Sequence, residues 1–208
     1  MKKLVFLISL TLLITACFGK KSPKPGQSNL DYAMIDAESG KAKLEYLSEP
    51  PKDPDPAAIL FIKVKPGTVT VGELRSSNED DYFIMTKPMT KKQLSKLIGT
   101  EDGDGLASST PFEQIEKAIG KLSKSNDEQF SLPTAQQWDF AFLSGKVNEN
   151  DQPICWEWAL LNGGNNYTWR GRMWHIMELY EEAEHERDKD AVQSDLGFRF
   201  IFKEGKAK

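Results

Sequence analysis

The chain reads as an α+β domain. Three observations predict this: β-rich runs come first, three capped helices follow, and an aromatic, loop-rich stretch leads to a closing strand. Ile59-Leu60-Phe61-Ile62-Lys63-Val64 and Thr68-Val69-Thr70-Val71 are rich in β-branched residues, with Pro66-Gly67 as a turn between them. Tyr82-Phe83-Ile84-Met85-Thr86 reads as a third strand. The first helix has a capping box in Thr90-Lys91-Lys92-Gln93, a stop at Gly99, and Leu94, Leu97 and Ile98 on one face. The second has another capping box in Thr110-Pro111-Phe112-Glu113, with Pro111 at the first helical position, and Gly120 at its end, with Phe112, Ile115, Ile119 and Leu122 inward. The third opens at a capping box in Thr134-Ala135-Gln136-Gln137 and closes at Gly145, with Trp138, Ala141 and Phe142 as its apolar face. In the closing strand, residues 197–202, Phe198, Phe200 and Phe202 share a face.

With 208 residues, 39% hydrophobic and 28% charged, the chain suits one globular domain. Lys and Arg number 27 against 31 Asp and Glu, a net charge of −4. That balance, with no basic run, excludes nucleic acid as the main partner. Two cysteines exclude a disulfide scaffold, and two histidines leave little for a His-rich metal site. The tryptophans are skewed: Trp138, Trp156, Trp158, Trp169 and Trp174 all lie in one stretch.

The N-terminus is an address. Met1-Lys2-Lys3 is a basic start, and residues 4–14 form an apolar run too short for a mature membrane span, so this reads as a secretory signal. Ile14-Thr15-Ala16-Cys17 resembles the bacterial lipobox. The resemblance implies cleavage before Cys17, lipidation of Cys17 (palmitate included) and anchoring in the membrane, each buried CH₂ contributing about 0.8 kcal/mol. Phe18 then favours the outer membrane, and Cys155 is left as a lone thiol. The expected organisation is residues 1–16 as signal peptide, 17–56 as a lipidated, Pro- and Lys-rich tether, and 57–204 as the folded domain. Pro50, Pro51, Pro54 and Pro56 favour extended polyproline structure, and a short stretch around residues 30–47 could pack onto the body.

Several segments together resemble the formylglycine-generating enzyme (sulfatase-modifying factor) family. Residues 130–141, with Leu132-Pro133-Thr134 and Trp138, are similar to its R-L-P-T-E-A-E-W-E-Y-A signature. Ile154-Cys155-Trp156-Glu157-Trp158 is similar to N-V-W-E-W, Arg170-Gly171-Arg172-Met173-Trp174 to R-G-G-S-W, and Asp195-Leu196-Gly197-Phe198-Arg199 to the terminal D-x-G-F-R. Upstream, residues 68–72 fit the opening F-x-M-G strand and residues 82–97 fit F-x-I-x-x-x-x-V-T-x-x-Q-Y. Order and spacing agree over about residues 58–202. The resemblance implies a C-type-lectin-like fold with paired terminal strands and much irregular loop.

Most of these motif residues do structural work. Thr134 caps a helix and sends Trp138 into the core one turn later. Trp156 and Trp158 straddle Glu157, so alternation puts both indoles on one side and the carboxylate on the other, toward an ion pair with Arg170 or Arg199. The family's enzymes bind copper through two cysteines, and the resemblance carries those positions to the neighbourhood of Ile176 and Glu181. Neither is Cys, and copper(I) needs soft thiolates, so no catalytic residue and no transition metal are expected. His175, Glu178, Glu182 and His185 recur at helical spacing, yet the run to Asp190 is dense in acid and reads as a solvated face. Glu101-Asp102-Gly103-Asp104-Gly105 is half a calcium loop without its bidentate Glu, hence an acidic turn; calcium stays open only through Asn162, Asn165 or Asn166.

The expected function is that of a non-catalytic, lipid-anchored envelope protein that binds an envelope or secreted protein, as a secretion-system accessory or an immunity-type lipoprotein. Trp169, Arg172 and Trp174 are its candidate binding residues, because Trp and Arg dominate protein interfaces. Thr134, Trp138, Trp156, Glu157, Trp158, Arg170, Gly197 and Arg199 are its frame. A divergent metal-dependent oxidase and a lectin-like ligand-displaying surface lipoprotein are the alternatives.

Overall fold

The computed structural model describes residues 30–37, 42–72, 74–147, 156–161, 166–171, 186–190 and 193–204. The first half runs β1 Tyr32–Asp36, β2 Lys43–Leu47, β3 Ile59–Val64, β4 Gly67–Val71, β5 Leu74–Asn78 and β6 Tyr82–Met85. Helices α1 Lys91–Ile98 and α2 Phe112–Ser125 follow, then β7 Gln129–Ser131 and α3 Ala135–Leu143. The last part holds β8 Trp156–Leu160, β9 Tyr167–Gly171, β10 Leu196–Phe198 and β11 Ile201–Lys203. This is an α+β arrangement. A six-stranded sheet has the order β2-β1-β3-β6-β11-β7, a three-stranded sheet the order β10-β8-β9, and β4-β5 form a separate hairpin. Pairing is antiparallel throughout except between β10 and β8.

The large sheet is covered on both faces, and the period-two alternation of its central strands divides them. From β6, Phe83 and Met85 enter the main core, where α1 contributes Leu94 and Leu97 and α2 contributes Phe112, Ile115, Ala118 and Leu122. Tyr82 and Ile84 point the other way, into a smaller core with Val64, Ile201 and, from α3, Phe140 and Ala141. Phe83 and Phe202 stack at 4.8 Å between ring centroids, and Phe61 meets Phe202 edge-on at 5.2 Å. Each such ring, fully buried, contributes about 1.5–3 kcal/mol.

The sheet curls, and Asn126 fastens the curl. Its Oδ1 accepts from the Leu44 N–H at 2.8 Å, and its Nδ2 donates to the Ala42 carbonyl at 2.9 Å. Tyr46 on β2 donates to Glu128 at 2.9 Å. Edge strand β2 is thereby held to the turn before β7, at the opposite end of the strand order.

Several expectations need correction. Residues 32–47 are not tether: they form the β1–β2 hairpin, and β1 pairs with β3 from Tyr32↔Ile62 to Ile35↔Ile59, so the folded unit begins upstream of residue 57. The stretch that could pack onto the body is part of its main sheet. The terminal strands β3 and β11 do not pair directly, because β6 lies between them. Helix α2 does not stop at Gly120 but runs on to Ser125, and its N-cap is Pro111 without a side-chain cap bond. Thr110 instead donates to the Ala107 carbonyl at 2.8 Å. The closing strand is two strands: β10 joins the small sheet and β11 the large one, with Arg199 and Phe200 crossing between. Phe198, Phe200 and Phe202 still enter one core. The capping boxes of α1 and α3 are formed as expected, Thr90 with Gln93 and Thr134 with Gln137, and Gly99 closes α1 in the left-handed region at φ 77°.

Candidate functional site

Thr134 accepts from the Gln137 N–H at 3.1 Å, which starts α3 and turns Trp138 inward. The Trp138 indole N–H donates to Glu157 Oε2 at 3.2 Å and its ring stacks on Phe142 at 5.3 Å. Glu157 is the middle residue of Trp156-Glu157-Trp158 on β8, and the two indoles go to the main core while the carboxylate goes the other way. Of the two arginines expected to pair with it, Arg199 does so, through Nε at 2.7 Å and Nη2 at 2.9 Å. Gly197 lies opposite Glu157 in the parallel β10–β8 register. Arg170 turns instead to Asp139 of α3, at 3.1 Å. These side chains are buried and tie α3, β8, β9 and the β10–β11 crossing together. They build a frame.

The face beside that frame is aromatic and carries charges of both signs. Trp169 on β9 is not the exposed ring that a binding residue suggested: it is half-buried, edge-on to Trp158 at 6.0 Å, with the Arg187 guanidinium 4.7 Å over its ring. Its indole Nε1 is enclosed and meets no hydrogen-bond acceptor among the described residues. Residues 186–190 form a short strap beside β9, bridged to it where the Arg187 N–H donates to the Tyr167 carbonyl at 2.7 Å and turning at Lys189 and Asp190. Lys189 reaches past Tyr167 to α2. Its Nζ is 4.9 Å from the centre of the Tyr167 ring, 4.9 Å from that of Phe112 and 2.9 Å from Glu116 Oε1. The hydrogen bond to Glu116, then that to Tyr167, raises the Lys189 pKa. Tyr167 and the strap line an open depression of about 540 Å³.

A second depression of about 320 Å³ lies between α1 and the start of α2, and the acidic loop Glu101-Asp102-Gly103 forms part of its wall. Among the described residues no three His, Cys, Asp or Glu side chains converge as a metal site. Cys17, Cys155, Asn162, Asn165, Arg172, Trp174, His175, Ile176, Glu178, Glu181, Glu182 and His185 lie outside the described residues. Asn166 is exposed, and its carbonyl accepts from the Leu161 N–H at 2.8 Å.

Tyr167, Arg187, Lys189 and Glu116 were not singled out by the sequence reading. A signal was present. In Glu186-Arg187-Asp188-Lys189-Asp190 charge alternates with period two, the mark of an extended segment, whereas helical spacing drew attention to the acids just upstream.

No family model and no curated protein matches the chain. Among solved structures, variable protein 1 of Treponema denticola is similar over 69% of this chain and 95% of its own, with 12% identity and a TM-score of 0.45. A likeness that slight assigns neither family nor function.

Proposed function

We propose that this is a cell-envelope lipoprotein whose folded part is a non-catalytic, formylglycine-generating-enzyme-like domain that works by binding another protein. The lipobox-like Ile14-Thr15-Ala16-Cys17 supports lipid anchoring, and Phe18 supports the outer membrane. The motif series from Leu132 to Arg199 supports the family and, through it, a C-type-lectin-like fold; the α+β arrangement agrees with that reading at the coarser level. A secretion-system accessory and an immunity-type lipoprotein are its two concrete forms.

One observation carries the binding reading. The motif side chains Trp138, Glu157, Trp158, Arg170 and Arg199 turn inward and bond to one another or to the core, while half-buried Tyr167, Trp169 and Arg187 and exposed Lys189 border the depression beside them. Tyr, Trp and Arg are the residue types that contribute most to protein interfaces.

The test places a photo-cross-linking side chain at position 188 of the lipidated full-length protein in its own envelope. The expected result is a discrete cross-linked protein that is lost in a Trp169→Ala background, with circular dichroism confirming that the variant remains folded at the temperature of the experiment. No cross-link from that position overturns the reading. Cys17→Ser is expected to move the protein from the membrane to the soluble fraction.

A further inference from the structure

The notch that holds Lys189 is shaped for an ammonium ion. Two ring faces, Phe112 and Tyr167, each stand 4.9 Å from its Nζ, and Glu116 closes the third side at 2.9 Å. Aromatic faces attract a cation through the ring quadrupole, and a carboxylate adds direct charge. The walls are fixed. Phe112 is buried at the start of α2, edge-on to Trp158 at 5.3 Å, and Tyr167 packs on Phe112 at 4.5 Å and on Trp158 at 6.2 Å.

The occupant is held far less firmly than the walls. Glu186, Asp188, Lys189 and Asp190 are all exposed, and the Lys189 side chain keeps 46% of its surface in water. Exposed ion pairs and exposed cation–π contacts are individually weak. Charge also matters: once Lys189 leaves, Glu116 remains at the notch, and Glu186 and Asp188 outnumber Arg187 in the lining of the adjoining depression, in a chain whose net charge is already −4. An incoming cation meets complementary charge there. The fit is to a point charge, since one carboxylate oxygen and two ring faces meet Nζ, whereas a guanidinium uses a planar, bidentate fork.

We propose that Phe112, Tyr167 and Glu116 form a lysine-recognition site for a partner protein, with Lys189 as an internal occupant that the partner's lysine replaces. This rests on the protein-binding reading above. The strap then acts as a tethered competitor, present at roughly millimolar effective concentration. Only a partner that adds contacts of its own displaces it, which gives the site selectivity.

The probe is Nα-acetyl-lysine methylamide, with the norleucine analogue as uncharged control, followed by NMR on the full chain with a labelled Tyr167. Lys189→Ala is expected to bind the lysine probe saturably, with wild type about ten-fold weaker because its own lysine competes. Adding Glu116→Gln or Tyr167→Leu to Lys189→Ala is expected to abolish binding. Lys189→Gln serves as a second vacated form. If neither vacated form shifts Tyr167, or if norleucine binds as well as lysine, the proposal is overturned. The two readings separate cleanly. A cross-linked partner without probe binding removes the lysine site and leaves the binding function, whereas probe binding without any cross-linked partner does the reverse.

Discussion

Arg199 grips both carboxylate oxygens of Glu157, at 2.7 Å and 2.9 Å, and the two side chains are 5% and 4% exposed. The same guanidinium donates through Nη1 to the carbonyls of Met85 at 3.2 Å and Thr86 at 2.9 Å. One side chain thus joins the small sheet to the end of β6 in the large one. A buried pair of charges is tolerable only where nearly every donor and acceptor is satisfied. Here the Trp138 indole adds a third donor to Glu157.

Removing one member is therefore worse than removing both. Arg199→Met leaves the Glu157 carboxylate buried against a single indole N–H, and the expected loss of stability is about 3–5 kcal/mol. Glu157→Leu is expected to cost a similar amount through the stranded guanidinium. In the Glu157→Leu/Arg199→Met double variant the loss is expected to be clearly smaller than the sum, read from urea denaturation as a double-mutant cycle. Additive losses would mean that the two side chains are not coupled.

Gly120 offers a cleaner measurement. It sits inside α2, is exposed, has no positive φ, and a Cβ added there meets nothing within 4 Å. Gly120→Ala is then expected to stabilise the protein by about 0.5–1 kcal/mol, because alanine narrows the unfolded ensemble without a clash. Thr134→Ala is expected to do the opposite, losing about 1 kcal/mol with the α3 cap. Thermal melts of both variants decide. A destabilised Gly120→Ala would restore the glycine as a true helix stop.

Those two positions show what the sequence could and could not disclose. Capping boxes are local, so Thr90 with Gln93 and Thr134 with Gln137 were readable from four residues each. The end of α2 was only partly readable: Leu122 already continued the apolar face past Gly120, and its burial in the main core carries the helix past a glycine that would otherwise stop it. Residues 32–47 were hidden for a related reason. Their strand pairing is settled by partners far along the chain, β3 and Asn126, while the prolines that follow gave a stronger local signal of spacer. The candidate face depended on distance in the same way: Lys189 meets Glu116 across 73 residues of sequence, and no local pattern announces that meeting.

Asn126 is the smallest part that holds the curl. Its amide serves the Leu44 N–H, the Ala42 carbonyl and the Leu122 carbonyl at 2.8, 2.9 and 2.9 Å. Asn126→Ala is expected to cost about 1–3 kcal/mol, the range for leaving partly buried polar groups without partners. Hydrogen exchange should rise first at Leu44 and its β2 neighbours, ahead of β3 and β6, whose amides are central in the sheet. Asn126→Asp keeps the acceptor and loses the donor, so an intermediate cost is expected. Uniform exchange across all strands in the alanine variant would mean that the clasp does not hold β2 locally.

Two phenols, half-buried Tyr46 and buried Tyr82, contribute to stability at alkaline pH. Burial pushes the Tyr46 pKa upward, and its hydrogen bond to the Glu128 carboxylate pushes it further. Burial raises that of Tyr82 as well, with the charge of Asp139 adding to it, while its hydroxyl donates to the Gln137 carbonyl at 2.6 Å. In the unfolded chain both ionise near the ordinary value of about 10. Above that pH the folded state retains protons that the unfolded state has released, so the contribution of these residues is complete below about pH 10 and falls as pH rises past it. Ultraviolet absorbance of phenolate is expected to show Tyr46 and Tyr82 ionising only as the protein unfolds, identified by difference against Tyr46→Phe and Tyr82→Phe. The double phenylalanine variant is expected to lose stability less steeply above pH 10, although each substitution also removes a hydrogen bond worth about 1 kcal/mol at neutral pH. A Tyr46 phenolate appearing in the folded protein near pH 10 would mean that β2 is not closed over it, and would count against the Asn126 clasp as well.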